Sequence, residues 1–510
     1  MIIKPLLLPA TLLVLALTVH NAAAQSPVRP PGMLLTSLEA EATMIEGRQA
    51  ILTFRLDEAE QTFRRLFDAG GNELPAYYHL TAIVFIRAMF RQDEPAYSRF
   101  FARSDSLYDM LKDAPETAWH MFFRSELYLM RSFVRARRGD FIRAAAAARE
   151  AYESYIRTLR LDPTLIDAER GVGVLKTVIG ATPSAYRRFI QLFGYRGSVE
   201  EGIRLLDHAA AKGRYARDES LFFLALTRVF LNVDRQSGVE ILAARFAASG
   251  DPLTGVIHAF SLRMARRPGE AVEVARAAIA TMQSPGYTSV EFLHYHLGGA
   301  LFSLNRFEEA AQAYRAYIES FGGQSFQAGS RLRLGLCLEM LGRRDEAEIW
   351  YRQVEAPTDF DVDQAAQHEA RRLRENPMTE TEKVLLRGQN AVESGRYEEA
   401  VAGLQPIFFS DGEKALDRTE AAYHLGRAYQ QMEQWDEAAT KYVYVRTHPV
   451  SKNARWAAWA TYNLGRVRES TGRLDEAREL FQEAIDFKGD FDYKKSLQRS
   501  AKLALDNLSS

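Results

Sequence analysis

These 510 residues predict an all-α chain, a right-handed superhelical solenoid of antiparallel helix pairs closed by a C-terminal capping helix. Three observations carry that expectation. Apolar residues recur at helical spacing through most of the chain, and no segment alternates apolar and polar residues between hairpin turns as a half-buried strand would. One short pattern of glycine, alanine and aromatic ring returns again and again. Hydrophobic residues make up 47% and charged residues 26%, the composition of a chain that folds and has length enough for several cores or one long array.

The chain opens with Lys4, an apolar stretch from Leu6 to Val19 and a small-residue close at Ala22, Ala23 and Ala24. Residues 1–24 therefore read as a secretory signal peptide cleaved near Ala24. Pro9 interrupts the stretch, which is also shorter than the roughly 20 residues that cross a bilayer. The expected location is extracytoplasmic, periplasmic or secreted, with no transmembrane span in the mature chain; peripheral membrane association is left open. Residues 25–35, with Pro27, Pro30 and Pro31, read as an extended linker. Helical repeats are expected over 36–165, where a long second helix ends at Asp162-Pro163. Divergent central repeats follow over 166–290, keeping helical periodicity while the pattern fades.

Clean repeats are expected at 291–354 and again at 381–510, separated by an inserted helix and linker at 355–380 that Pro357 and Pro377 bracket. In each repeat a glycine is followed twelve residues later by alanine, and four beyond that by a ring. The triples are Gly298/Ala310/Tyr314, Gly335/Ala347/Tyr351, Gly426/Ala438/Tyr442 and Gly465/Ala477/Phe481. Gly47/Ala59/Phe63 matches them near the N-terminus, and Gly388/Ala400/Leu404 matches with leucine for the ring. Two helices joined by a tight turn approach closely only where small residues face each other, so glycine on the first and alanine on the second are read as the contact. Leu297, Leu334, Leu425 and Leu464 precede the glycines and, with the rings, fill the space between helices. Tyr493, Leu497, Ala501 and Leu505 recur every fourth residue, as a terminal helix covering the last repeat would.

This pattern resembles the tetratricopeptide repeat, most fully at 423–445 and 462–485. The steps between glycines are 37, 53, 38 and 39 residues against the 34 of that repeat, so the excess is assigned to longer helices and turns and to the insertion. A narrower resemblance covers residues 171–206. Gly171, Gly173, Thr182-Pro183, Gly194-Tyr195-Arg196-Gly197 and Gly202 through Leu206 are similar in order to a segment of the tetratricopeptide-39 proteins of animals and the inclusion-body clearance protein of yeast. That resemblance implies a helical-repeat adaptor with a distinctive central hairpin and brings no catalytic residue with it. The secretory signal departs from an intracellular family, so no organelle-specific role is carried over.

Chemistry is sparse. Lys plus Arg number 65 against 66 Asp plus Glu, a net charge of -1 that provides no broad field for a phosphate backbone, and nucleic acid is excluded as a partner. The single cysteine, Cys337, rules out an intramolecular disulfide and reads as a small core residue. Gly173 through Thr177 places Leu175 where a phosphate loop needs glycine, and His294 and His296 stand on different faces of a helix. No catalytic, metal or cofactor residue is assigned, and the chain is expected not to be an enzyme. The Asp-Glu-Ala and Glu-Glu-Ala runs at the starts of second helices are read as helix-end charges.

What such repeats provide is a surface lined by first-helix side chains. Counting from the glycines places Phe292, Tyr295, Phe302, Tyr423, Arg427, Trp459, Tyr462 and Arg466 on it. Aromatics and arginine combine area with directed hydrogen bonds, as interface anchors do. The expected function is an exported, non-enzymatic scaffold holding a protein or peptide partner along this groove. The alternatives are a carrier of an apolar ligand in the central region and an enzyme using its glycine-rich segment.

Overall fold

The computed structural model describes residues 34, 35, 37–181, 197–355, 361–448 and 454–508. The signal sequence, most of the linker, and Thr182, Pro183, Gly194, Tyr195 and Arg196 lie outside the described residues. Among the described residues every regular element is a helix, twenty-four in all. They run α1 Leu38–Leu52, α2 Leu56–Asp68, α3 Glu73–Arg91, α4 Glu94–Lys112, α5 Ala118–Arg137, α6 Phe141–Leu161, α7 Asp167–Gly180 and α8 Val199–Lys212. Then come α9 Arg217–Phe230, α10 Arg235–Ser249, α11 Pro252–Met264, α12 Pro268–Met282, α13 Phe292–Ser303, α14 Phe307–Ser320, α15 Gln327–Met340 and α16 Arg344–Arg352. The last are α17 Asp361–Glu375, α18 Glu380–Glu393, α19 Tyr397–Phe409, α20 Ala415–Gln431, α21 Trp435–Thr447, α22 Ala454–Ser470, α23 Leu474–Asp486 and α24 Lys494–Asn507.

The chain divides into two units. Unit one holds the described residues up to Ala265 together with Glu273–Leu293 and Phe321–Gly323; unit two holds Arg266–Val272, His294–Ser320 and the described residues from Gln324 onward. Within each, consecutive helices pack as antiparallel pairs. In unit two the inserted α17 packs on α15 and α16, and α24 packs on α22 and α23 as the terminal cover, with Leu497 and Ala501 fully buried.

The glycine of each triple is needed, and the reason differs from the one its spacing suggests. A Cβ on Gly426 would stand 2.7 Å from the Tyr442 ring, and one on Gly335 would stand 2.4 Å from Tyr351. The same holds for Gly47 under Phe63, Gly298 under Tyr314, Gly465 under Phe481 and Gly388 under Leu404. The ring four residues beyond the alanine thus lies flat on the glycine, whereas the sequence reading had alanine meeting it. Ala59, Ala310, Ala347, Ala400, Ala438 and Ala477 are fully buried one turn before the ring.

A second regularity sets the hairpin. Seven residues after each of these glycines stands a residue with positive φ: Phe54, Asn305, Gly342, Gly395, Glu433 and Gly472. The next amide then reaches back five residues, as from Arg343 N–H to Leu338 O at 2.8 Å and from Gln434 N–H to Tyr429 O at 2.9 Å. This left-handed closure satisfies the last carbonyls of the first helix and reverses the chain. The residue that follows starts the second helix, and in four repeats it is an arginine paired with a glutamate three residues on: Arg306–Glu309, Arg343–Glu346 and Arg396–Glu399, each at 2.7 Å, and Arg55–Glu58 at 3.1 Å. The recurring acidic runs are helix-start charges held in this way.

Candidate interaction surface

In unit two the first helices of successive pairs touch one another, α18 on α20 and α20 on α22, so one face of each joins a common surface. Tyr423 stands on α20 three residues before Gly426, half-turned toward Trp456 of α22 with ring centroids 4.8 Å apart. Its hydroxyl accepts from Asn463 Nδ2 at 3.3 Å. Arg427, one residue after the same glycine, lies 3.8 Å from Glu393 at the end of α18. Trp459 and Tyr462 meet edge to face at 5.8 Å, and Arg466 pairs with Glu469 at 2.6 Å.

Side chains that the glycine count did not select complete the surface. Arg333 of α15 hydrogen-bonds Tyr295 of α13, and its electrostatic neighbours include Tyr314 and Glu393. Arg455 lies over the Trp456 ring at 4.1 Å. Tyr493, which caps α24 with φ of 66°, feels Arg333, Arg455, Asp492 and Glu393, and its partial burial raises its phenol above the usual range. The same end of α24 is tied to the insertion: His368 meets Asp492 at 2.9 Å, and Ser496 N–H donates to Asp361 at 3.0 Å. Tyr295, Tyr423 and Arg427 therefore gather with Arg333, Arg455 and Tyr493 around one carboxylate, Glu393, whose side chain is 45% exposed.

Phe292 and Phe302 are placed differently. Phe292 is buried in unit one between Phe90 and Phe321, and Phe302 is buried against Phe307, so neither ring faces an open wall. Counting from glycine located the right turn of α13 but not the side of it that neighbouring helices cover. A signal for the missed residues does exist in the sequence: polar His296, Arg333, His424 and Asn463 all stand two residues before a repeat glycine. His424 is buried beside Trp456, and burial holds its imidazole below the ordinary range.

Unit one contains a second polar cluster, in its interior. Glu126 of α5 accepts from Tyr155 and Arg170 on one oxygen and from Tyr78 at 3.0 Å on the other. Glu219 of α9 pairs with Arg48 at 2.8 Å and lies 3.7 Å from Arg170. Arg48 also donates to Tyr215 O at 2.6 Å and lies 2.9 Å from His79 Nε2. Since arginine only donates, Nε2 is the acceptor and the Nδ1 hydrogen goes to Pro75 O at 2.7 Å. The histidine is thereby neutral, its pKa held well below 6.5 by burial and by Arg48. Burial pushes Glu219 up to about 8 against the pull of Arg48 and Arg170. Beside these groups is a cavity with about 10 Å³ open to the centre of a water-sized sphere, room for about one water molecule, walled by Trp119, Phe122, Tyr215 and Leu34. Two arginines and two acidic side chains face one another here, so with Tyr78, His79 and Tyr155 the cluster ties α1, α3, α5, α6, α7 and α9 together.

The glycine-rich central segment is used for close packing. A Cβ on Gly202 of α8 would stand 2.8 Å from Gly173 O of α7, and Gly171 lies beneath the Tyr155 ring. Lys176, the residue that invited a phosphate-loop reading, pairs with Glu201 at 2.6 Å. Cys337 is buried, which raises its thiol pKa. Among the described residues no three metal-ligating side chains converge, and no helix is long and apolar enough to cross a membrane.

The tetratricopeptide-repeat family model matches residues 261–326, 295–361 and 423–490, the stretches that contain the glycine, left-handed turn and ring in order. The chain carries tetratricopeptide repeats. Solved tetratricopeptide-type structures it is similar to include yeast Tom70, at 14% identity over 92% of this chain and 96% of that one, with a TM-score of 0.24. The Cut9–Hcn1 hetero-tetramer of the APC/C matches at 11% over 91% and 96%, with a TM-score of 0.24. A Rap protein complexed with competence and sporulation factor matches at 14% over 81% and 98%, with a TM-score of 0.31. No curated protein matches the chain, and the narrower resemblance at 171–206 is carried no further. Tetratricopeptide repeats mediate contacts between proteins, and residues 261–361 and 423–490 are helical repeats of that kind.

Proposed function

We propose that the chain is an exported, non-enzymatic scaffold that holds a protein or peptide partner on the first-helix face of unit two. The observation that carries this is the set of part-exposed aromatic and guanidinium groups, Arg427, Trp459, Tyr462 and Arg466, presented side by side by α20 and α22 with the buried Tyr423 ring behind them. Groups of this kind anchor protein interfaces, because they bury area at small entropic cost and donate directed hydrogen bonds. The cavity walled by Trp119, Phe122, Tyr215 and Leu34 has room for about one water molecule, too little for an apolar ligand.

The test is affinity capture from the exported fraction with wild-type bait and with Arg427→Ala/Arg466→Ala. Half-exposed substitutions usually change stability by less than about 0.5 kcal/mol, whereas loss of an anchoring arginine costs about 2 kcal/mol of binding, roughly thirtyfold in affinity. The double variant is expected to melt with wild type and to lose its partner, and the bait recovered from export to begin at Gln25. Retention of every captured protein by a folded double variant removes the surface from consideration.

A further inference from the structure

Around Glu393 the charges do not balance. Arg333, Arg427 and Arg455 come from three separate helices, α15, α20 and α22, and act on a shared neighbourhood that also holds Tyr295, Tyr423 and Tyr493. Of the three guanidiniums only Arg427 has a carboxylate within 4 Å among the described residues, and that one is Glu393 at 3.8 Å, longer than a hydrogen bond. Asp492, the other nearby acid, is engaged by His368. Of the further acids, Glu469 is bound to Arg466 at 2.6 Å and Glu420 stands 3.9 Å from His424.

Resting on the surface reading above, we infer that this cluster of unit two is a receptor for the carboxylate side chains of an extended acidic peptide segment. The guanidinium fork accepts a carboxylate in two parallel hydrogen bonds. Trp459 and Tyr462 supply part-exposed flat walls beside the cations, backed by the buried rings of Tyr423 and Trp456, and suit the side chains that alternate with the acids in an extended strand. The cluster is three cations wide and set among rings, in a chain of net charge -1, which suits a short segment of peptide and not the evenly charged length of a nucleic acid. Glu393 occupies the place that a ligand carboxylate would take, and so competes with it.

The experiment uses the mature full-length chain and a fluorescein-labelled octapeptide alternating glutamate with leucine, with its glutamine counterpart as control. Fluorescence anisotropy is expected to show at least tenfold tighter binding of the glutamate peptide and a fall in affinity between 50 and 200 mM salt, on the order expected when two or three ion pairs form. Arg455→Ala and Arg333→Ala are each expected to weaken it about tenfold. Glu393→Gln is expected to tighten it several-fold, an effect that loss of folding cannot imitate. Equal affinity for the two peptides, weaker binding by Glu393→Gln, or an oligonucleotide probe binding as well as the peptide would overturn the inference. If the glutamine peptide binds equally and Arg427→Ala/Arg466→Ala abolishes it, the surface stands and its preference for acid falls. If neither peptide binds and the double variant still captures its partners, the surface reading falls with it.

Discussion

Unit one and unit two are both stacks of antiparallel helix pairs, yet they are held in different ways. Unit two repeats one local contact, a ring laid on a glycine sixteen residues earlier, with a left-handed residue between them. Unit one has that contact once in the same form, Phe63 on Gly47, and once reversed, Tyr155 on a glycine sixteen residues later. It relies in addition on a buried charge cluster that joins residues as far apart as Arg48 and Glu219. The lesson is one of range. A contact within one helix hairpin can be written again in every repeat, whereas a hub joining six helices occurs once and leaves no periodic trace.

The sharpest way to break the comparison is to remove one ion of the hub. Arg170→Met leaves Glu126 and Glu219 buried with a single guanidinium between them, and breaking such a pair costs about 3–5 kcal/mol. Hydrogen exchange should then accelerate together across α1, α3, α5, α6, α7 and α9 while α20–α23 are unchanged. Protection lost only near α7 would show that the cluster is not a hub.

Acidity separates the units next. With a folded pKa near 8 against an ordinary 4.5, Glu219 binds a proton in the folded chain that the unfolded chain has released. Stability from this group is therefore full below about pH 4.5 and is lost as pH rises through 8. His79, held neutral, adds the opposite slope only below its ordinary 6.5, so the interval from 6.5 to 8 isolates Glu219. Over it unit one should lose on the order of 2 kcal/mol, and Glu219→Gln should level the profile. A flat wild-type profile between those values would show that Arg48 and Arg170 keep the carboxylate ionised.

In unit two, Gly426→Ala drives a Cβ into the fully buried Tyr442 ring. Overpacking costs about 1–3 kcal/mol, and the better helix propensity of alanine returns up to about 1, leaving a net loss near 1 kcal/mol. Ala438→Leu, one turn before the ring, meets the same crowding without that compensation. Exchange should quicken in α20, α21 and their neighbours only. An unchanged denaturation midpoint for both variants would refute the ring-on-glycine contact. The smallest effect has the opposite sign: Glu433 holds φ at 60° where other repeats have Gly342, Gly395 or Gly472. Glu433→Gly should stabilise the fold by about 0.5–1 kcal/mol and so raise the midpoint, since a side chain strains that conformation.

By itself the sequence determined the helical class, the pairing of helices, the positions of the repeat glycines and rings, the inserted helix after Tyr351 and the terminal cover ending in α24. All of these follow from distances along the chain shorter than one hairpin, where helix pitch and one turn set which residues meet. The left-handed turn was legible only where it had chosen glycine, as at Gly342, and hidden where Phe54 or Glu433 takes the same conformation. Tertiary structure alone decided that the ring and not the alanine covers the glycine, because spacing places two side chains on one interface without saying which lies flat on the other. It alone turned Phe292 and Phe302 inward and brought Arg333, Arg427, Arg455 and Tyr493 to Glu393. Those four come from helices whose separation is interrupted by an insertion of its own length, so their meeting depends on how whole pairs stack. The same is true of Arg48, Glu126, Arg170 and Glu219, whose mutual burial is a property of four packed helices and of no spacing in the chain.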